Sequence, residues 1–330
     1  MPSRRRFLRA LGIGVVAPQA VLAQVERPRR SMWSMLFSNH ETAAAPHKPE
    51  PATWDNDTIT AAWIGHATIL VNFYGAWIIT DPVLSHRIGI NVMGMLTLGP
   101  SRLVAPALTF EELPPIDLIL LSHGHMDHLD IPTLTRFKSS VPVVMAKNTA
   151  DILEGLPFKQ VQELDWGEKT TVAGLEIEAF QVKHFGWRYP WEEDRSRGNW
   201  HGRSYNAYLI TKNGNHIFFG GDTAYHDYFR ELGERRLDIE LAMMPIGAYD
   251  PWIFNHVNPE QSMMLADQIG AKHILPMHWG TFIQSEEPTT EPIQRLKMGL
   301  ADNPDRIALE EIGQTWSLKG VEQRMLQTAG

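Results

Sequence analysis

Short apolar runs of four to eight residues, each closed by glycine, proline or a polar cluster, recur along the chain from Thr58 onward. Runs of that length, rich in β-branched and aromatic residues, predict buried strands rather than helices. They lie at 61–65, 67–74, 76–80, 117–121, 143–146, 175–182, 205–211, 216–220, 241–245 and 273–276. Helices are predicted between them. Asp130-Ile131-Pro132 supplies a cap and an early proline for one, and Asn258-Pro259-Glu260 opens another that reaches about Gly270. Strands in both halves with helices interspersed, and no linker-like break after Asp55, predict one α/β domain over 56–330. Residues 24–55 are rich in proline, alanine and charge and read as an N-terminal arm or linker with a short apolar island, Met32 to Phe37.

The first 23 residues follow another order: basic Ser3-Arg4-Arg5-Arg6-Phe7-Leu8-Arg9, then apolar Ala10 to Ala17, then small Val21-Leu22-Ala23. That order predicts a signal peptide over 1–23, cut after Ala23, with an apolar stretch too short to stay as a membrane span. Its paired arginines resemble a twin-arginine export signal, which implies passage through the twin-arginine export machinery and a periplasmic location. Removing the four arginines of this segment takes the formal charge from −8 to −12, an acidic body to which no nucleic acid partner is expected. The chain has no cysteine. It therefore has no disulfide, thiolate ligand or cysteine nucleophile, and histidine and carboxylates are left to hold any metal.

Candidate chemistry concentrates at Ser122-His123-Gly124-His125-Met126-Asp127-His128, directly after the apolar run 117–121. A strand there delivers three imidazoles and a carboxylate to its carboxyl end, where sites of layered α/β proteins lie. Alternate side chains of an extended segment share one face, so His123 and His125 can grip one ion while Asp127 and His128 turn toward a second. Other strand ends carry His184, Asp222 after Gly220-Gly221, and His278. The two glycines let backbone approach a site closely.

In this order the cluster, the histidine, the aspartate and the last histidine resemble the metallo-β-lactamase superfamily over roughly Trp63 to Phe282. The resemblance implies a four-layer αββα sandwich. It implies that His123, His125 and His184 bind a first metal, that Asp127, His128 and His278 bind a second, and that Asp222 bridges them. Asp81 falls where the superfamily has an aspartate that orients a ligand. Two divalent ions roughly 3.5–4 Å apart share a water and acidify it into a nucleophile, so that no serine or cysteine is needed. Nitrogen and oxygen ligands make zinc the default, with manganese or iron accepted by the same set.

Segments outside the ligands narrow the resemblance: Trp63-Ile64-Gly65-His66-Ala67-Thr68, Asp81-Pro82-Val83, Gly247-Ala248-Tyr249-Asp250-Pro251, His256-Val257-Asn258-Pro259-Glu260 and His278-Trp279-Gly280-Thr281-Phe282. Together they are similar to the branch containing N-acylphosphatidylethanolamine-hydrolysing phospholipase D. The implied activity is hydrolysis of a small-molecule or lipid phosphodiester, with Asp127 and His256 as catalytic residues. The alternatives are a lactonase resembling L-ascorbate-6-phosphate lactonase, and a noncatalytic metal-binding protein of the same fold. The resemblance also allows a homodimer and a peripheral membrane contact. Smaller expectations concern His66 as support for the site, Tyr225 and Tyr249 as hydrogen-bond donors to a phosphoryl oxygen, and Trp187 with Arg188 as contacts for an anion. The segment 191–197 reads as a solvated loop.

Overall fold

A computed structural model describes residues 39–92 and 96–328. Strands β1 (Ile59–Gly65), β2 (Thr68–Phe73) and β3 (Ala76–Thr80) are antiparallel neighbours. A two-stranded ribbon, β4 (Ile90–Val92) with β5 (Leu96–Leu98), precedes β6 (Leu118–Leu121), β7 (Val143–Ala146) and β8 (Val161–Leu164), which extend the sheet in parallel. β9 (Lys169–Val172), β10 (Leu175–Gln181), β11 (Asn206–Lys212) and β12 (Asn215–Phe219) form an antiparallel meander. β13 (Ile239–Pro245) and β14 (His273–Met277) join it in parallel, and β15 (Thr315–Ser317) returns to pair with β1. The result is a seven-stranded sheet, β15-β1-β2-β3-β6-β7-β8, and a six-stranded sheet, β14-β13-β12-β11-β10-β9.

Apolar side chains on both faces of the central strands stack these sheets into four layers. Leu118 and Leu120 of β6 enter a core shared with Ile217, Phe219, Leu241 and Met243 of the second sheet. The alternate residues Ile119 and Leu121 turn the other way, onto Leu129, Leu134 and Phe137. In the second sheet Phe218, Ala242 and Met244 turn outward onto Leu232, Leu265 and Leu296. A strand covered on both faces reads as a continuous apolar run, the pattern seen in the sequence. The outer layers are helical: α1 (Ile131–Leu134), α2 (Arg230–Glu234), α3 (Pro259–Gln268) and α4 (Glu291–Gly299), with α5 (Leu318–Thr328) near β1. The fold is thus the expected αββα sandwich.

The two expected helix starts are present. Asp130 accepts from Thr133 N at 3.3 Å, and Asn258 forms a capping box with Gln261. From Asn39 the arm lies against the domain. Ala43 N donates to Leu103 O and Ala105 N to Ala43 O, each at 2.8 Å, and Trp54 stacks on Trp77 with ring centroids 5.4 Å apart. The segment expected to be an export signal, 1–23, and the apolar island at 32–37 lie outside the described residues. Among those described, no helix is long and apolar enough to cross a membrane.

Candidate metal centre

Parallel pairing gathers the site. β3 and β6 run side by side, so their carboxyl ends place Asp81 under the loop that starts at Ser122. The fully buried Asp81 carboxylate accepts from Ser122 N at 2.7 Å, from Ser122 Oγ at 2.6 Å and from His128 Nδ1 at 2.6 Å. With its Nδ1–H engaged there, His128 turns Nε2 inward, 3.1 Å from Asp222 Oδ2. β12, β13 and β14 are parallel neighbours too, and their ends bring His278 Nε2 to 3.0 Å from the same oxygen. Gly221 makes the approach possible: at its φ of +55°, a Cβ would stand 2.7 Å from Asn206 O and 2.9 Å from Ser122 Cβ.

The first half of the centre consists of His123, His125 and His184. His123 Nδ1 donates to Ser122 Oγ and His184 Nδ1 to Asn255 O, each at 2.9 Å. Their Nε2 atoms consequently face His125 Nδ1 as bare lone pairs, at 2.8 and 3.2 Å. Burial, reinforced by neighbouring imidazoles, holds His123 and His184 well below the usual histidine range, and burial brings His125 down to about 4. Neutral rings whose lone pairs converge need a cation among them. Ligands on one zinc at about 2.0–2.1 Å stand about 3.3 Å apart, close to these spacings.

The second half consists of Asp127, His128 and His278. Asp127 Oδ2 lies 3.3 Å from His278 Nε2 and 3.5 Å from His128 Nε2. Asp222 Oδ2 faces both halves, since it is also 4.0 Å from His184 Nε2. Burial opposes ionisation of both carboxylates, yet the adjacent His128 and His278 draw Asp127 and Asp222 well below the usual range. Burial likewise opposes charge on His128 and His278, but Asp222 and Asp127 lift His128 well above its ordinary value and His278 to about 9. Two buried carboxylates thus create a field that demands positive charge. The ligand atoms of His123, His125 and His184 lie within 4.8 Å of one another, as do those of His66, Asp127, His128 and His278. With Asp222 between them, the expected residues fit two divalent ions.

Other groups complete the site. His256 Nε2 is 3.3 Å from Asp222 Oδ2, and the side chain lines a cavity of about 480 Å³ that opens over both halves. Phe185, Trp187 and Trp252 form an apolar wall of this cavity, and Arg197 and Gln284 contribute polar groups. His66, Asp81, Ala248 and His278 all hold left-handed backbone, with φ of +54°, +33°, +61° and +63°, a concentration of strain typical of functional sites. His66 supports the centre as expected, its Nε2 3.0 Å from Asp127 Oδ2.

Two expectations need correction. Tyr249 does not offer its hydroxyl to a substrate, because that group donates to Glu291 Oε1 at 2.8 Å. Arg188 does not wait for an anion: its Nη1 donates to Gly124 O at 2.7 Å and Leu129 O at 3.0 Å, bracing the loop that carries the histidine cluster. The segment 191–197 is largely exposed, as expected, with Trp191, Glu193, Ser196 and Arg197 open to solvent. Within it Arg195 is buried between Trp166 and Trp200, with its guanidinium carbon 4.2 and 5.2 Å from their ring centroids, and Asp194, Ser196 and Arg197 line the cavity. Tyr225 is exposed and lies outside the cavity lining. Gln284, whose Nε2 donates to Asp127 Oδ2 at 2.7 Å, was not anticipated, since no motif distinguishes a glutamine at that place.

The family described as "Beta-lactamase superfamily domain" matches residues 76–279. An uncharacterized protein of Mycobacterium tuberculosis is 30% identical over 287 residues, covering 82% of this chain and 73% of the relative. N-acyl-phosphatidylethanolamine-hydrolyzing phospholipase D 1 of Caenorhabditis elegans is 30% identical over 256 residues, 72% of this chain and 68% of its own length. Among solved structures, a possible metal-dependent hydrolase from Veillonella parvula superposes with a TM-score of 0.61 at 16% identity, covering 79% of this chain and all of the other.

Proposed function

The chain belongs to the beta-lactamase superfamily as a metal-dependent hydrolase, and from that membership we propose that it cleaves a phosphodiester of an amphiphilic, lipid-like substrate. The observation that carries this reading is the placement of two facing ligand sets, joined by Asp222 Oδ2, at the floor of a cavity walled by Phe185, Trp187 and Trp252. His123, His125 and His184 would hold one ion, Asp127, His128 and His278 the other, with zinc the metal best matched to this donor set. Divalent ions bound there would supply Lewis acidity and, at neutral pH, a nucleophile drawn from water.

The protein's own groups support that chemistry. Ser122, the hydroxyl nearest the cluster, is fully buried and its Oγ is engaged by Asp81 and His123, so it does not compete as a nucleophile. His256 reaches the cavity and Asp222 together, a position suited to moving a proton to or from the substrate. The aromatic wall offers an apolar surface for acyl or other hydrocarbon groups beside the reacting phosphorus. The named activity of the Caenorhabditis elegans relative, hydrolysis of N-acylphosphatidylethanolamine, is of this class.

The test is a side-by-side measurement of kcat/KM for the zinc-loaded protein on N-acylphosphatidylethanolamine, on bis(4-nitrophenyl) phosphate and on a panel of lactones, with Asp222→Ala as control. The expected result is preference for the lipid diester and loss of turnover in the control. Lactones turned over orders of magnitude faster than either diester would replace the phosphodiesterase reading with a lactonase, and zinc binding without turnover of any of them would favour a noncatalytic metal protein.

A further inference from the structure

Asp127 receives two contacts from outside the expected ligands His123, His125, His128, His184, Asp222 and His278. Its Oδ2, the oxygen directed at His128 and His278, accepts from Gln284 Nε2 at 2.7 Å and lies 3.0 Å from His66 Nε2. An ionised carboxylate only accepts, so Gln284 must present its amide nitrogen. His66 is fully buried, and a ring N–H either faces the carboxylate from Nε2 or sits on Nδ1. Nδ1 of His66 has no hydrogen-bond partner among the described residues, which places that proton on Nε2, toward Asp127.

Both donors are held firmly. His66 N donates to Thr281 Oγ1 at 2.8 Å, and His66 O accepts from Trp63 Nε1 at 2.7 Å and from His278 N at 3.1 Å. Its ring packs edge-on against Phe282, and Gln284 O accepts from Trp252 Nε1 at 3.3 Å. The segment 281–284, directly after His278, therefore anchors both donors. Neither of them touches the nitrogens of His123, His125 or His184 that face one another in the first half.

We propose that Gln284 and His66 are positioning residues that clamp Asp127 Oδ2 from two sides, fixing which oxygen it offers beside His128 and His278 and so setting metal affinity in that half alone. This rests on the reading of the site as a pair of divalent-ion positions. Among the described residues no other donor stands as close to Oδ2, and a side chain free to rotate would lose conformational entropy each time an ion binds.

The experiment uses the purified full chain, stripped of metal and titrated with zinc against a chromophoric chelator, with no substrate present. Gln284→Met keeps length and removes the donor, His66→Leu removes the ring donor, and His66→Gln retains an amide at similar reach. Wild type should bind two zinc ions. Gln284→Met and His66→Leu should each weaken one of them about ten- to a hundredfold and leave the other within about twofold, while His66→Gln stays near wild type. Unchanged affinities in Gln284→Met would overturn the clamp even if His66→Leu failed to fold. Equal weakening of both ions would also overturn it, by showing general loosening. Wild type that binds no zinc would overturn the clamp and the metal reading together.

Discussion

Replacing Asp81 with asparagine isolates one buried hydrogen bond that touches no substrate. In the native protein the carboxylate accepts from His128 Nδ1 at 2.6 Å, which fixes the tautomer that leaves Nε2 bare toward the centre. An asparagine whose carbonyl keeps the bond from Ser122 N sets its NH2 group where Oδ2 stood, facing His128 Nδ1 and Ser122 Oγ. Donor then meets donor, and the ring must shift its proton to Nε2, the atom that would hold the ion. A hydrogen bond to a charged group is worth about 1.5–3 kcal/mol net. At about 1.4 kcal/mol per decade, its loss weakens zinc roughly ten- to a hundredfold in the half that contains His128. Zinc titration of the stripped protein checks this, and unchanged zinc affinity in Asp81→Asn would refute the tautomer argument.

Four further outcomes are expected. His256→Ala should lower kcat about a hundredfold while the protein still binds two zinc ions, read by steady-state kinetics and metal analysis. Gly221→Ala combines a left-handed φ with a backbone oxygen 2.7 Å from the new Cβ, and should cost about 2–4 kcal/mol in urea unfolding. Arg203 holds Asp151 below its ordinary 3.8 and, against burial, Glu192 below 4.5; those contributions are present above the ordinary values and lost as pH falls through the lower folded ones. The urea midpoints of stripped wild type and Arg203→Met should therefore differ at pH 7 and converge below about pH 4; a constant gap would contradict the sign. We further propose periplasmic export by the twin-arginine route. Arg4→Lys with Arg5→Lys should then block export of a reporter fusion, and unimpaired export would dismiss that signal.

The strands legible in the sequence are those buried on both faces. β3 and β7 have the predicted bounds, and β6, β13 and β14 differ from them by one or two residues. The strands that escaped notice lie at sheet edges or in the small ribbon. β8 carries exposed Val161, Gln162 and an intermediate Glu163, β9 alternates exposed with half-buried residues, and β15 has only three residues. An edge strand satisfies its backbone on one side only and needs little apolar surface, so periodicity gives it little signal. α4 escaped for a similar reason, since only Pro292, Ile293 and Leu296 face inward.

The site divides along a different line. Ligand candidates were readable because a metal needs particular atoms, and His123, His125, Asp127 and His128 stand close together in the chain while His184, Asp222 and His278 each follow a strand that ends at the same edge. The residues that hold those ligands in place were not readable by the same logic. Gln284 is 157 positions from Asp127, Arg195 depends on Asp165 and on Trp166 and Trp200, and Arg188 braces carbonyls 64 and 59 positions away. An amide or guanidinium can serve any carbonyl or carboxylate within reach, so its residue type does not name its partner; only the fold does. The same reasoning explains why burial of Arg195 within 191–197 escaped notice. Charge and tryptophan mark a solvated stretch, and Trp191, Glu193, Ser196 and Arg197 are indeed exposed, whereas the Arg195 guanidinium, stacked between indoles and paired with Asp165, tolerates burial. That buried arginine secures the wall from which Asp194, Ser196 and Arg197 face the cavity, so a stretch read as solvated is part of what shapes the space above the centre.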